Sequence, residues 1–255
     1  MLRLVINLKR SPERWNAIKT QLDRLQIPVR RIEAVDGREL SVGEMDGLCL
    51  PEDRFLGRKL QQGEIGGFLS HRKCWQELLD SQEQYALVLE DDLLLSERSP
   101  LFMLTEEWIP KNCHLIQLFV FRKQKKYLCT TEEYELSDGE KLCRPVYPTP
   151  VGAQAYIISR EAAFTAVKES EKFNLPVDEF LFARPSFTGR FPCYRLERAI
   201  AMDADVPSDI ARNKDKGRRS FLLNVVRFVD RMQKSIDKKA GKMTGKYVER
   251  TFEFE

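Results

Sequence analysis

The stretch Tyr85–Leu95, YALVLEDDLLL, determines how the rest of this chain is interpreted. Its apolar first half ends in three consecutive carboxylates, Glu90, Asp91 and Asp92, and apolar residues resume at once. The pattern predicts a buried strand whose carboxyl end reaches the edge of an α/β sheet, where ligands bind. Because side chains alternate along a strand, we expect Glu90 and Asp92 on one face and Asp91 on the other.

These three carboxylates favour a cation site. Crowded carboxylates repel each other and lose hydration, and a divalent cation relieves both costs. Carboxylate oxygens are the hard ligands that Mg²⁺ and Mn²⁺ prefer. The alternative is a solvated strand end that caps the next helix, and the stretch by itself leaves both open.

The composition predicts a globular protein with a basic tail. The chain has 255 residues, of which 42% are hydrophobic and 32% are charged, which permits one large α/β domain or two small ones and argues against wholesale disorder. Residues 212–250 carry 13 Lys/Arg against four Asp/Glu, while the net charge of the whole chain is only +3. We therefore predict an acidic domain over residues 1–211 and a basic tail over 212–255.

The tail shows the period of an amphipathic helix. It is expected to dock on an anionic membrane surface or on the core of the protein itself. The apolar residues that recur at helical spacing are Phe221, Val225, Phe228, Val229, Met232 and Ile236.

Other features narrow the class of protein. The six cysteines have no C-x-x-C spacing and the chain has two histidines, which argues against a zinc site. The sequence shows no signal peptide, so reduced thiols in a cytosolic protein are expected. The basic stripe with interleaved aromatics that is typical of nucleic-acid binding is absent, so we expect no nucleic-acid partner.

The N-terminal segment predicts the first unit of a nucleotide-binding α/β fold. A strand over residues 2–8 is followed by Ser11 as N-cap, Pro12 at the first helical position and a helix with one apolar face. Asn7, Arg10 and Arg14 lie where a helix N-terminus attracts anions, so they are candidates for pyrophosphate contact. The alternative is that Arg10 and Arg14 are simply solvated and contact no pyrophosphate.

A second candidate segment is residues 63–71, GEIGGFLSH, which follows a stretch (38–62) predicted to be irregular. Its apolar spacing predicts a buried helix, and the adjacent Gly66 and Gly67 suggest close approach of another backbone or a ligand. Ser70 and His71 are candidates to contact a sugar or phosphate. A purely structural histidine is the alternative.

The second half of the chain adds further candidates. Residues 115–121 predict one buried strand, residues 127–148 a hairpin or two edge strands, and residues 153–159 a strand preceded by Gly152. Asp178 opens a short apolar segment, as a functional carboxylate or merely a helix cap. Asp203 follows a late strand predicted over 193–200.

Taken in order, these pieces resemble glycosyltransferase family 25, the group that includes bacterial lipooligosaccharide and lipopolysaccharide galactosyltransferases. The resemblance extends from Val5 to about Lys239. The segments that carry it are VINL at 5–8 with Arg10 and Arg14, AVDG at 34–37, GEIG at 63–66 with Ser70 and His71, LEDD at 89–92, Gly152 with YIISR at 156–160, and PVD at 176–178.

The resemblance implies a GT-A-like fold, a Rossmann-type mixed sheet flanked by helices, and inverting transfer of galactose from UDP-galactose. It implies that Mn²⁺ or Mg²⁺ is held against the diphosphate by Asp92 and Glu90, with Asp203 in place of the usual late histidine. It implies a catalytic base at Asp178, with Asp91 and Glu179 as alternatives. The implied donor contacts are Asn7, Leu8, Arg10, Arg14, Ser70, His71, Glu90, Asp91 and Gly152.

The expected acceptor is a lipid-linked lipooligosaccharide core, met by a cytoplasmic enzyme peripheral to the inner membrane. Two other interpretations stay open. One is a metal-dependent nucleotidyltransferase, which also uses paired carboxylates. The other is a non-catalytic, membrane-docked protein that binds glycan or nucleotide.

Overall fold

The described residues of the computed structural model are 1–50, 58–122, 125–137, 139–204 and 221–255. The strands are β1 Leu2–Asn7, β2 Arg30–Glu33, β3 Tyr85–Glu90, β4 Leu93–Leu95, β5 Leu115–Gln117, β6 Phe119–Val120, β7 Lys125–Glu135, β8 Lys141–Tyr147, β9 Ala155–Ser159, β10 Cys193–Leu196, β11 Arg198–Ala199, β12 Ala201–Asp203 and β13 Tyr247–Phe254. The α-helices are α1 Pro12–Arg24, α2 Val42–Leu48, α3 Gln62–Asp80, α4 Ser99–Met103, α5 Arg160–Glu169, α6 Val177–Phe182, α7 Pro185–Thr188 and α8 Phe221–Met243.

A mixed ten-stranded sheet organises the described residues, in the order β11-β13-β7-β8-β10-β5-β9-β3-β1-β2. Strand β1 pairs in parallel with β2 and β3, whereas β9 runs antiparallel to both β3 and β5. Helices cover both faces: α3, α5 and α6 contribute to one hydrophobic cluster, and α1 and α4 to the other. The predicted α/β fold, a mixed sheet flanked by helices, is confirmed.

The parallel pairing of β1 and β3 creates the edge that the acidic stretch was predicted to reach. Ile6 lies opposite Glu90, so the carboxyl ends of the two strands coincide. Both strands are fully buried through their centres because helices pack on the two faces. The segments that leave β1 and β3 are therefore neighbours, although they lie far apart in sequence.

The single strand predicted over residues 115–121 is wrong, because it is two strands in two sheets. β5 belongs to the large sheet, whereas β6 pairs with β12 in a three-stranded sheet of order β4-β12-β6. Leu118 separates them, and its carbonyl accepts hydrogen bonds from the backbone N–H groups of Ile200 and Ala201 at 3.2 and 3.1 Å. The segment of Ile200 and Ala201 therefore divides the apolar run 115–121 into two strands. The local apolar pattern does not indicate this division.

Three further segments that were predicted from the sequence have mixed outcomes. The hairpin over 127–148 is confirmed as β7 and β8. The irregular excursion over 38–62 is wrong in part, because Ser41 and Glu44 form a capping box that starts α2. Ser11 occupies the N-cap position of α1, as predicted, but its hydroxyl makes no capping hydrogen bond.

The C-terminal residues contribute to the sheet itself. β13 pairs antiparallel with β7 and parallel with β11, which the sequence did not predict. The helix of the predicted tail is α8, and residues 212–220 of that tail lie outside the described residues. The boundary at 211 stays a prediction.

Candidate functional site

The acidic stretch leaves the sheet between α1 and α3. β3 ends at Glu90, and Asp91 and Asp92 form a bend before β4. Strand alternation therefore stops at Glu90. The Glu90 carboxylate lies 3.3 Å from Nε2 of His71 on α3, whereas both aspartates pair with Arg14 on α1. The prediction that Glu90 and Asp92 share a face depended on strand alternation, which does not extend past Glu90, so it stays a prediction.

Asp91 is held on two sides. Its Oδ1 pairs with Nη2 of Arg14, and its Oδ2 accepts a hydrogen bond from the side-chain amide of Asn7 at the end of β1. Burial raises the pKa of the Asp91 carboxyl despite these partners, which favour the ionised form. In the structure Asp91 ties β1, β3 and α1 together at the candidate site.

The carboxyl of Asp92 is strongly perturbed by its surroundings. Burial, followed by the nearby charge of Glu90, raises its pKa to about 7 although Arg14 lies 3.1 Å from Oδ2. Its Oδ1 is buried and has no hydrogen-bond partner. An orphaned carboxylate oxygen beside a second carboxylate is a donor set that fits a hard divalent cation, because such a cation supplies the missing positive charge.

The third predicted metal ligand, Asp203, lies on a strand whose backbone is hydrogen-bonded to the segment that contains Asp92. β12 pairs with β4 so that Asp203 is opposite Leu93, and the N–H of Ala204 donates to the Asp92 carbonyl at 2.9 Å. The carboxylate of Asp203, however, accepts the backbone N–H of Arg122 at 2.6 Å. Within the described parts of the chain no group of three His, Cys, Asp or Glu side chains is arranged to hold a metal, so ligation by Asp203 stays a prediction.

The predicted donor contacts after β1 are brought to this edge, and each has a protein partner. Asn7 also donates to the Ser11 carbonyl at 3.0 Å, and the half-buried Leu8 accepts the Ser11 N–H through its carbonyl. Arg10 donates from Nε to Asp36 at 2.6 Å, and Arg38 and Arg10 together hold the pKa of Asp36 well below its usual range.

The glycines of α3 are explained by backbone packing. A Cβ on Gly66 would lie 2.6 Å from both the Val35 carbonyl oxygen and the Gly37 nitrogen, whereas a Cβ on Gly67 would meet nothing within 4 Å. The buried hydroxyl of Ser70 donates to the Gly66 carbonyl at 2.7 Å and accepts the Val35 N–H at 2.8 Å. In the structure Ser70 and Gly66 thus join α3 to the loop that follows β2.

His71 lies in a chain of buried side chains that ends at Glu90. Its Nδ1 is 3.0 Å from the Tyr156 hydroxyl on β9, which also accepts the indole N–H of Trp75 at 2.9 Å. Burial raises the pKa of Tyr156 well above its ordinary value, so the phenol keeps its proton. The chain connects α3, β9 and β3 through side chains alone.

Asp178 lies at the start of α6 and contacts the loop that precedes β9. Its Oδ2 accepts the N–H of Gly152 at 3.0 Å and its Oδ1 accepts the N–H of Glu179 at 2.9 Å. Gly152 has a φ of +89°, and its carbonyl accepts from the buried amide of Gln117. Two residues further on, the carbonyl of Gln154 accepts the Glu90 N–H at 2.8 Å, which connects this loop to the acidic stretch.

Sequence reasoning missed Tyr156, Trp75 and Gln117 as parts of this site. A signal exists for Gln117, because a glutamine inside an otherwise apolar strand must find hydrogen-bond partners when it is buried. The roles of Trp75 and Tyr156 depend on which elements pack together, and the sequence alone does not contain that information.

The family comparison agrees with this arrangement. Residues 1–181 match the family model described as "Glycosyltransferase family 25 (LPS biosynthesis protein)". The matched range contains the acidic stretch, α3, Gly152 and Asp178, which are the elements that meet at the candidate site.

Curated relatives include two proteins named for family 25 and one named as a procollagen galactosyltransferase. A "Glycosyltransferase 25 family member" of Drosophila melanogaster is 33% identical over 187 residues, or 69% of this chain and 29% of the relative. "Procollagen galactosyltransferase 2" of Homo sapiens is 31% identical over 186 residues, with the same 69% and 29% coverage. A "Probable inactive glycosyltransferase 25 family member 3" of Bos taurus is 32% identical over 191 residues, covering 69% and 30%. The aligned part of this chain thus spans about three tenths of the relatives' length.

Among solved structures, a glycosyltransferase involved in glycosylation of the major capsid of PBCV-1 aligns with a TM-score of 0.40 and 8% identity, covering 81% of this chain and 94% of that chain. A TM-score this low does not establish a relationship to that protein. The family model matches residues 1–181, which is well over half of the chain. This chain therefore belongs to glycosyltransferase family 25.

Proposed function

We propose that this protein is an inverting hexosyltransferase that moves galactose from UDP-galactose to a glycan acceptor, a lipooligosaccharide or lipopolysaccharide core, with β-linkage. The observation that carries the proposal is the carboxylate cluster at the carboxyl ends of β1 and β3, in which Asp92 has an unpartnered buried oxygen and a pKa of about 7. Family membership supports sugar transfer, and the name of the human relative supports galactose.

Inversion requires one displacement at the anomeric carbon. A carboxylate takes the proton from the acceptor hydroxyl, the hydroxyl oxygen forms the new bond, and the electron pair of the broken bond leaves with UDP. Asp178 is the proposed base, and Asp91 and Glu179 are the alternatives. The Gly152 and Glu179 N–H groups fix the Asp178 carboxylate. The Asp91 carboxylate is held by its ion pair with Arg14.

Glu90 and Asp92 are the residues that would hold a divalent cation, and Asp203 is the proposed third ligand. When bound, Mn²⁺ or Mg²⁺ would supply Lewis-acid stabilisation of the departing diphosphate. Asn7 and Arg14 hold the Asp91 carboxylate in place, and Arg14 also pairs with Asp92. The remaining proposed donor contacts, Leu8, Arg10, Ser70 and Gly152, lie in the segments around this edge.

The first experiment is UDP release from a panel of UDP-sugars, with Mn²⁺ and then with EDTA. Metal-dependent release from UDP-galactose alone supports the proposal. Pyrophosphate formed from a nucleoside triphosphate and a sugar phosphate, supplied in a separate reaction, would favour a nucleotidyltransferase. UDP binding without turnover, with lipooligosaccharide core or a collagen peptide as acceptor, would favour a non-catalytic protein such as the relative named probably inactive.

We also propose a lipid-linked acceptor and peripheral membrane docking through α8 at the cytoplasmic face of the inner membrane. No helix in the described ranges has the length and apolar character needed to cross a bilayer. Met232 and Ile236 of α8 are 50% and 63% exposed, and Asp237 anchors the helix by accepting from the hydroxyls of Tyr147 and Tyr247. Exposed apolar residues on a basic helix suit an anionic lipid surface.

Vesicle sedimentation tests this docking without disturbing the sheet. Deletion of 212–255 would also remove β13, so the paired substitutions Met232→Gln and Ile236→Gln are preferable because both side chains are exposed. We expect at least a tenfold loss of binding to anionic vesicles, since each apolar side chain contributes about 1.5–3 kcal/mol when buried. Unchanged sedimentation would contradict the proposal.

A further inference from the structure

Glu90 is the most exposed of the three acidic side chains, with 31% of its surface accessible, and its Oε1 lies 3.3 Å from Nε2 of His71. His71 itself is only 2% exposed, and both of its ring nitrogens have a protein group within hydrogen-bond distance. A side chain so placed is poorly suited to contact a substrate directly, but well suited to hold a neighbour that does.

The hydrogen-bond chain fixes the protonation pattern of the imidazole. The indole N–H of Trp75 is only a donor, so the Tyr156 oxygen accepts it at 2.9 Å. The single Tyr156 proton is then donated to Nδ1 of His71, 3.0 Å away, which leaves the ring proton on Nε2 facing Glu90. The other tautomer would leave the Tyr156 proton unpaired and place the Nε2 lone pair against a carboxylate.

We infer that His71, oriented by Tyr156 and Trp75, is a positioning residue that holds the Glu90 carboxylate for a bound divalent cation. The inference rests on the proposed function, in which Glu90 is a cation ligand. It replaces direct sugar or phosphate contact as the role of His71. A hydrogen bond to a ligating carboxylate fixes its orientation, and loss of such a partner typically weakens metal binding about 10–100-fold.

Mn²⁺ binding to the full chain without any donor tests the inference, by calorimetry or electron paramagnetic resonance. We expect His71→Leu to raise the dissociation constant at least tenfold, because leucine fills the site but donates nothing. His71→Gln should remain within about threefold of the unsubstituted protein, because its amide can donate from nearly the same place as Nε2. Tyr156→Phe should have an intermediate effect, because it removes only the group that orients the ring.

Leu78→Ala is the matched control for lost stability. Leu78 is fully buried on α3, two helical turns from His71 on the same side, and has no part in the hydrogen-bond chain. It should lower the melting temperature and leave Mn²⁺ affinity unchanged. Glu90→Gln combined with His71→Leu should bind no more weakly than Glu90→Gln alone, because His71 acts through Glu90.

The inference is overturned if His71→Leu binds Mn²⁺ normally, if His71→Gln fails to rescue, or if the two substitutions are additive. It is also overturned if the unsubstituted protein binds no Mn²⁺. UDP release, measured separately, distinguishes these results from failure of the proposed function: coupled Mn²⁺ binding without turnover would contradict glycosyl transfer and leave the role of His71 standing.

Discussion

Replacing Asp92 by asparagine should change how the free energy of unfolding depends on pH. In the folded protein the pKa of this carboxyl is about 7, raised first by burial and then by Glu90, against an ordinary value of 3.8. Between these values the folded protein binds the proton and the unfolded chain does not. Stability from this group is therefore present at low pH and is lost as the pH rises from about 4 to 7.

The size of the effect follows from the pKa difference. Each pH unit inside the window costs about 1.4 kcal/mol, so the unsubstituted protein should lose roughly 4 kcal/mol between pH 4 and pH 8 from Asp92 alone. The Asp92→Asn protein has no such proton to lose. The difference in stability between the two proteins should therefore shift by that amount, in favour of the variant at high pH.

The assay is urea unfolding of both proteins in EDTA at unit pH steps, followed by tryptophan fluorescence. Titrating groups that do not interact with Asp92 cancel in the difference. Asp23→Asn, which changes a carboxylate that is 62% exposed, is the control and should track the unsubstituted protein. Mn²⁺ should then stabilise the unsubstituted protein at pH 8, by about 2.7 kcal/mol at a hundred times its dissociation constant, and not the variant. Parallel pH curves for Asp92→Asn and the unsubstituted protein would refute the reasoning.

Three further results are expected. Gly66→Ala should destabilise the protein by about 1–3 kcal/mol, because its Cβ would lie 2.6 Å from backbone atoms. Gly67→Ala should be neutral or stabilise the protein by up to about 1 kcal/mol. Equal melting temperatures of the two variants would contradict this prediction. Asp178→Asn should fold normally, since its amide oxygen can still accept the Gly152 N–H, but should lose about 10²–10⁴-fold in turnover; normal turnover would exclude Asp178 as the base. Ser41→Ala should cost about 1 kcal/mol by removing the capping box of α2, which urea unfolding would detect.

The chemistry of the site could be predicted from the sequence because it is local. An apolar run followed at once by three carboxylates encodes both a buried strand and its charged end, and neither depends on what packs nearby. The same holds for the strand and helix at the N-terminus and for the β7–β8 hairpin, which are specified by residues close in sequence. The order of these segments was enough to suggest the family.

The distribution of partners depended on the tertiary structure. Where β3 ends decided that Asp91 and Asp92 both meet Arg14 and that Glu90 faces α3. The pairing of β9 with β3 decided that Tyr156, 85 residues from His71, supplies its hydrogen bond. The sequence by itself determined which groups carry charge, protons and turns, since those are properties of single residues and short periods. Only the folded sheet decided which of them are buried together, because burial and pairing arise between segments that are distant along the chain.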